Sequence, residues 1–577
     1  MRVALGRATM ASLAALGLAA APALGNEAAP DAAKRLSGAT PFASCPLTGT
    51  RSLSSEAEPQ LAVAPRNPRR LVATWQQDRF SDVDGGAAAN LVASSGDGGV
   101  TWRGTTLPGM SRCTGGEDQR ASDPWVSIGP DRSIYQASLT FTVVPALSGL
   151  AGPTAQRVAT STNGGRTFSQ PTTVVDQNLY DDREAITADP QRSGHAYMVW
   201  VRRLGLLGEQ GIEYFSKTTD GGRTFTAPRP ITAPNPGTLP DPALLEVLPD
   251  GSLLNVYMEA NATPFLPESV PRIPWVVRAQ RSTDGGDHWS APVEVGRIEH
   301  PGPPEDPDSG AEARAFNVVS IAVTPRGTAY AVWNEIKSEG SSVIALSKSG
   351  DGGRSWSAPA TAAAVPSQAF LPNVAVMPDG TVGVTYDDFR GDREGDGQLT
   401  TNVWLTHSHD GGGSWRERRL AGPFDMLQAP ETSSTEVAGR FLGDYQGLVG
   451  LHDGFGALYA QSRPAAQEGP SDVFFSRVCV SCGMRLAVRP RRVRAGRRTR
   501  FRFLVTESRG GHRRAVRGAT VRFAGRRVRT NRRGRATLRL RMGGLGVRRA
   551  RASKAGHRSA RAAVRVLPGR RRVRLTG

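Results

Sequence analysis

One eight-residue pattern, Ser-x-Asp-x-Gly-x-Ser/Thr-aromatic, recurs six times along this chain and constrains its fold more than any other feature. The copies span 95–102, 161–168, 218–225, 282–289, 349–356 and 408–415, with Asn163, Thr218 and His288 as the departures from the pattern. The spacing has a chemical reason. An Asp or Asn side chain accepts from backbone N–H groups a few residues on, the glycine takes positive φ, and the aromatic packs back beneath the turn. Each copy follows two short apolar runs separated by turn residues, as in 373–377, Pro378-Asp379-Gly380 and 381–386. Strand, turn, strand, loop, strand, tight turn is therefore the repeating unit, at intervals of roughly 55 to 70 residues.

First-strand runs begin at Gln60, Trp125, Ala185, Leu244, Val319, Asn373 and Tyr445, which is seven against six octapeptides. The seventh module continues through 457–460 and 472–476 without an octapeptide, and its last strand is expected from the N-terminal segment. The octapeptide is identified as the Asp box, and through it the chain resembles the sialidase-like (BNR-repeat) β-propellers over about residues 55–480. That resemblance implies an Asp-box β-propeller; the seven runs favour seven blades, a departure from the six of enzymatic sialidases, which remain the alternative, and the whole chain is expected to be all-β, the propeller followed by a small β-sandwich. It also implies that the boxes lie on the outer rim, away from any ligand, so their residues are read as turn staples.

The remainder divides by composition. Residues 1–25 read as a secretory signal, with Arg2 and Arg7 before an apolar stretch and Ala23-Leu24-Gly25 at its end. Residues 26–55 read as a linker and 56–484 as the propeller. From 485 on there are 33 Arg and Lys against one acidic residue, Glu507, whereas residues 1–484 carry 39 basic and 51 acidic residues. Apolar-arginine alternation in 499–505, 519–523, 536–540 and 560–566 predicts half-buried strands. The segments 518–523 and 530–538 resemble bacterial Ig-like and carboxypeptidase-regulatory-like modules, so 485–567 is expected to be a basic sandwich ending in a basic tail, 568–577. Such a surface suits polyanions or cell-wall polymers; no sequence-specific nucleic-acid motif is present. After the signal, no stretch is long and apolar enough to span a bilayer, and the chain is expected to be secreted. Cys45, Cys113, Cys479 and Cys482 are expected to form structural disulfides, with Cys45 near the Cys479/Cys482 pair if the ring closes end to end.

Acidic residues and arginines cluster where a propeller gathers its loops. Arginine forks bind carboxylates and carboxylic acids move protons, a chemistry suited to a glycan. The family resemblance implies Asp82 or Asp84 as proton donor and Tyr445 as nucleophile with Asp241 behind it. It implies Arg79 and Arg390 as clamps, with Asp388 and Asp444 beside them at the substrate. Two departures stand against a sialate clamp. Ala57-Glu58-Pro59 replaces the family's Arg-Ile-Pro, and Tyr257-Met258-Glu259 stands where another clamp arginine belongs. No cofactor is expected; the acidic run 387–396 leaves room for Ca²⁺. The two functional readings are a secreted sialidase-like glycoside hydrolase of exo-sialidase type and a non-catalytic glycan- or protein-binding propeller at the cell surface.

Overall fold

The computed structural model describes residues 32–82, 85–144, 153–176, 179–204, 210–232, 238–261, 274–299, 302–315, 318–433, 438–464, 469–509, 512–554 and 557–569. The expected signal, residues 1–25, lies outside these, as do Asp84 and nearly all of the basic tail. Among the described residues no helix is long and apolar enough to cross a membrane.

The chain is all-β. Among the described residues, seven four-stranded antiparallel units follow one another, two of them joined by the single pair Ala87 and Ala121. Their first strands are Glu56–Ala64, Arg120–Ile128, Tyr180–Ala188, Thr238–Val247, Ser320–Val323, Ala369–Val376 and Gly447–Gly450. Each of these lies against the next, and the last lies against the first, so they enclose an axis. All seven coincide with the apolar runs expected to open each repeat. The last unit takes its fourth strand from Lys34–Arg35, which pairs with Ser471–Cys479. The stretch expected to be a linker thus supplies a strand and, through Phe42, a buried side chain.

Every neighbouring pair of units shares an apolar core, which follows from strands buried on both faces. Leu61, Leu71 and Trp75 of the first unit pack with Leu458 and Phe475 of the seventh, closing the ring by hydrophobic contact. The octapeptide turns staple these contacts. In the first box Asp97 Oδ1 accepts from Val100 N at 3.0 Å and Thr101 N at 2.9 Å, and Trp102 meets Phe475 edge-on at 5.1 Å. Gly99, at φ 85°, approaches the preceding unit so closely that a Cβ would stand 2.2 Å from the Phe475 ring. That explains the glycine: it supplies both the left-handed backbone and the missing side chain.

Hydrogen bonds to the ionised form hold the box carboxylates low, Asp220 at about 2. Asn163 makes the same backbone bonds, accepting from Arg166 N at 3.0 Å and Thr167 N at 3.1 Å. Asp220→Asn is therefore expected to shift stability at pH 7 no more than an ordinary surface substitution. The Asp220 contribution is complete above the unfolded value of ~3.9 and is lost as pH falls toward the folded value. Denaturation at pH 7 and pH 2.5 should show the variant gaining stability relative to the parent in acid; a parent that gains on the variant there would contradict the staple.

Cys45 bridges to Cys113, with Cα atoms 5.6 Å apart. The expected proximity of Cys45 to the 479/482 pair is corrected: the chain before the first strand folds over the first unit, where Phe42 packs with Ala88 and Ala89. Cys479 is disulfide-bonded, and among the described residues no cysteine is free.

Residues from Cys482 onward form two five-stranded sheets. Phe501 and Phe503 of one meet Phe523 of the other at 5.0 and 5.6 Å in a shared core. Arginines alternate outward, as the sequence pattern requires.

Candidate functional site

The site grows out of a defect repeated in the first strands. Five of them slip register near their start, between Ala57 and Gln60, Ser122 and Trp125, Asp182 and Ala185, Asp241 and Leu244, and Phe370 and Asn373. Each slip is a bulge with one extra residue, which turns a side chain out of the pleat. At Glu58, Asp123, Arg183 and Leu371 the bulge residue has positive φ, between 44° and 59°, although none is glycine. Such a conformation costs about 1–3 kcal/mol each and persists where surrounding structure enforces it.

The bulges gather charge at one end of the axis. Asp123, Trp125, Arg183, Glu184, Asn373 and Tyr445 line a pocket there whose enclosed part is about 40 Å³. A second cavity of about 300 Å³ follows the first strands and holds Glu246, which burial pushes up to about 7. Arg183 pairs with Asp444 at 2.8 Å, both nearly buried, and Arg314 approaches the same oxygen at 3.9 Å. Arg79 and Arg314 lie 4.1 and 4.7 Å from the centre of the Phe441 ring. Arg79 also donates to Gln76 Oε1 at 2.6 Å, and burial lowers its guanidinium to about 10. Gln76 reaches on to Glu58 and to Ser122 Oγ.

Glu184 stands apart. It is 2 % exposed, it lines the pocket, and among the described residues neither carboxyl oxygen has a hydrogen-bond partner. Burial, with Asp123 next in effect, pushes it well above the ordinary carboxyl range. Burial does the same to Glu58, reinforced by Asp123 and Asp444. Tyr445 donates to the Pro124 carbonyl at 3.2 Å and meets Trp125 edge-on at 5.1 Å. Burial and the surrounding carboxylates push its phenol well above the usual value.

These raised carboxyls have a consequence for stability. When unfolded they ionise near ~4.3; when folded they hold their protons to higher pH. Across that window the unfolded chain has lost protons the folded chain keeps, so stability falls as pH rises. Glu58, Glu184 and Asp387, all raised by burial, act in the same direction. The melting temperature is expected to be higher at pH 5 than at pH 8; the reverse order would mean that these groups ionise freely in the fold.

Of the residues anticipated from sequence, Tyr445, Asp444 and Arg79 come together here. Asp82 does not line the pocket: Arg120 grips it with two bonds, 2.6 and 2.8 Å, beside the N-terminal segment. Asp84 lies outside the described residues. Asp241 is opposite Met258 in the fourth unit, and its side chain is outside the described residues. Arg390 and Asp388 pair within the sixth unit, where Arg390 also binds Glu417 at 2.7 Å and covers Trp404 at 4.0 Å, so neither faces the pocket. For the acidic run 387–396, no group of metal-ligating side chains occurs among the described residues.

Of Glu58, Asp123, Arg183, Glu184 and Arg314, none was anticipated with a role, although Asp123, Arg183 and Glu184 fall in the acid-arginine clusters that open the second and third repeats. A signal for the first two was present: Glu58-Pro59, Asp123-Pro124 and Asp241-Pro242 each stand just before a first-strand run. Arg183-Glu184 holds the equivalent place without a proline.

No protein-family model and no curated protein matches the chain. Solved structures do. A protein of unknown function from Dyadobacter fermentans is 13 % identical, with TM-score 0.39, over 78 % of this chain and 99 % of its own. The Trypanosoma rangeli sialidase in complex with sialic acid is 11 % identical, TM-score 0.39, over 78 % of this chain and 59 % of its own. The GH93 α-L-arabinofuranosidase of Fusarium graminearum with arabinobiose is 13 % identical, TM-score 0.36, over 62 % and 93 %. Likeness at this level says nothing about the chemistry of the pocket.

Proposed function

We propose that this chain is a secreted glycoside hydrolase on a seven-bladed Asp-box propeller, acting on an uncharged terminal sugar at the axial pocket. The observation that carries this reading is Glu184: a buried carboxyl in the pocket with both oxygens unpartnered and its proton held above the normal range. A carboxylic acid kept protonated near neutral pH is what a glycosidic oxygen needs as its bond to the anomeric carbon breaks. In this reading Glu184 gives its proton to the leaving oxygen. Asp123, lining the same pocket, takes a proton from the attacking water and faces the developing positive charge. Trp125 and Tyr445 offer an apolar wall to a sugar face.

The preference for an uncharged sugar follows from Asp444. It already occupies Arg183 and lies near Arg314, so the guanidinium forks that would hold a sialate carboxylate are engaged within the protein. Tyr445 as nucleophile is the competing mechanism within the same class; a neighbouring carboxylate would have to take the phenolic proton during attack. The reading as a non-catalytic binding module is favoured by the small enclosed volume, about 40 Å³, and by the buried Arg183–Asp444 pair.

The test is a panel of fluorogenic glycosides, neutral furanosides and pyranosides beside a sialoside, offered to the secreted protein. Turnover of a neutral glycoside is expected. Turnover of the sialoside alone would overturn the substrate class, and silence throughout would favour the binding module.

A further inference from the structure

The second sheet of the C-terminal unit contains an ordered line of cations. Its strands run in the order Arg526–Arg529, Thr520–Phe523, Gly546–Ser553, Ala560–Leu567, Arg492–Arg494. Their register places Arg527 opposite Arg522, Arg522 opposite Arg551, and Arg551 opposite Arg561. All four are exposed, because the alternate positions Val521, Phe523, Ala550, Ala552 and Val564 fill the core beneath. Four adjacent strands at about 4.8 Å spacing make this row about 14 Å long.

Like charges directly opposite one another destabilise a sheet. Nothing within the unit offsets them: Glu507 is its one acidic residue, and it binds His557 Nε2 at 2.8 Å. A repeated charge conflict without an internal counter-ion points to an external one. The unit's aromatics, Phe501, Phe503 and Phe523, are buried at 0–1 % exposure, so no platform exists on which bases would stack.

We infer that this row is a docking track for a linear polyanion that presents phosphate or sulfate groups along a flexible chain and is recognised by arginine forks rather than by bases. The track would hold the propeller against a polyanionic matrix, independently of what the axial pocket does.

The test uses the full chain with inorganic polyphosphate and with heparin, which separate phosphate from sulfate as the group recognised. Single-stranded DNA and anionic phosphatidylserine vesicles are the competing partners. The variant R522Q/R527Q/R551Q/R561Q is compared with R497Q/R517Q/R532Q/R533Q, which removes the same charge from exposed turns. The row variant is expected to bind polyphosphate or heparin at least tenfold more weakly at 0.1 M salt. Its log–log salt slope should fall by up to ~3, at about 0.7 per contact, while the turn variant stays within about threefold of the parent. Its melting temperature at low salt should rise as the like-charge row is relieved, which distinguishes lost contacts from lost structure. Equal losses in both variants would reduce the row to general charge and overturn the inference. Tighter binding to DNA or to vesicles than to either polyanion, at matched charge, would overturn the partner class.

Discussion

Glu184→Gln is expected to lower kcat/KM on the best neutral glycoside by ~10²–10⁴-fold, the range that a positioned general acid contributes. The amide keeps the size and shape of the neutral carboxyl and removes the transferable proton. Folding should not suffer, because burial already favours the neutral form of this side chain, whose shape the amide keeps. The pH profile gives a second readout. Activity that depends on protonated Glu184 is present at low pH and lost as pH rises through the raised pKa, so the parent should show a basic limb. The residual activity of the variant should lack it. Substrates with a good leaving group need less protonation and should lose less. Tyr445→Phe separates the mechanisms, since it should retain most activity if Glu184 and Asp123 carry the reaction and almost none if the phenol oxygen attacks. An unchanged rate in Glu184→Gln would falsify the assignment of the acid.

Asp444→Asn should cost about 3–5 kcal/mol of stability in chemical denaturation, the usual penalty for removing one partner of a buried ion pair. Arg183 and Arg314 would then lose the Asp444 carboxylate; their side chains are 9 % and 11 % exposed. The same change should alter recognition. With Arg183 released, free N-acetylneuraminic acid is expected to raise the melting temperature of the variant and leave the parent unchanged. Together these results would identify Asp444 as the internal group that occupies the guanidinium forks. A variant as stable as the parent would show that the pair is solvated and the forks are open.

The anticipated residues that reach the pocket and those that lie elsewhere differ in kind. Tyr445 and Asp444 were legible because they open a first-strand run, and first strands line the axis. Arg79 shared that advantage less directly: it ends the second strand of the first unit and reaches the site from behind, through Gln76 and Phe441. Arg390 has an equally suggestive acid-arginine context in sequence. Its partners, however, are Asp388 and Glu417 of its own unit, so the charges neutralise one another within the sheet. Asp82 was expected near the chemistry, but the fold of the N-terminal segment sets Arg120 against it.

By itself the sequence determined the repeat, the seven strand runs that enclose the axis, the outward arginines of the last unit and the places where glycine is required. All of these are local: side-chain alternation, Asx turns and positive-φ glycines act within a few residues, so they can be read without knowing what lies across the fold. Only the tertiary structure decided which charges meet. Glu58, Asp123, Arg183 and Tyr445 are up to several hundred positions apart; bulges turn the first three toward one axis, where Asp123, Arg183 and Tyr445 line a pocket and the charge of Glu58 acts on Tyr445. The bridge from Cys45 to Cys113, the pairing of Asp444 with Arg183 and the unpartnered state of Glu184 belong to the same class. Each depends on which residues of opposite or like charge the closed ring brings within a few ångströms. Electrostatic interaction is decided by that distance and by burial, neither of which a linear chain contains.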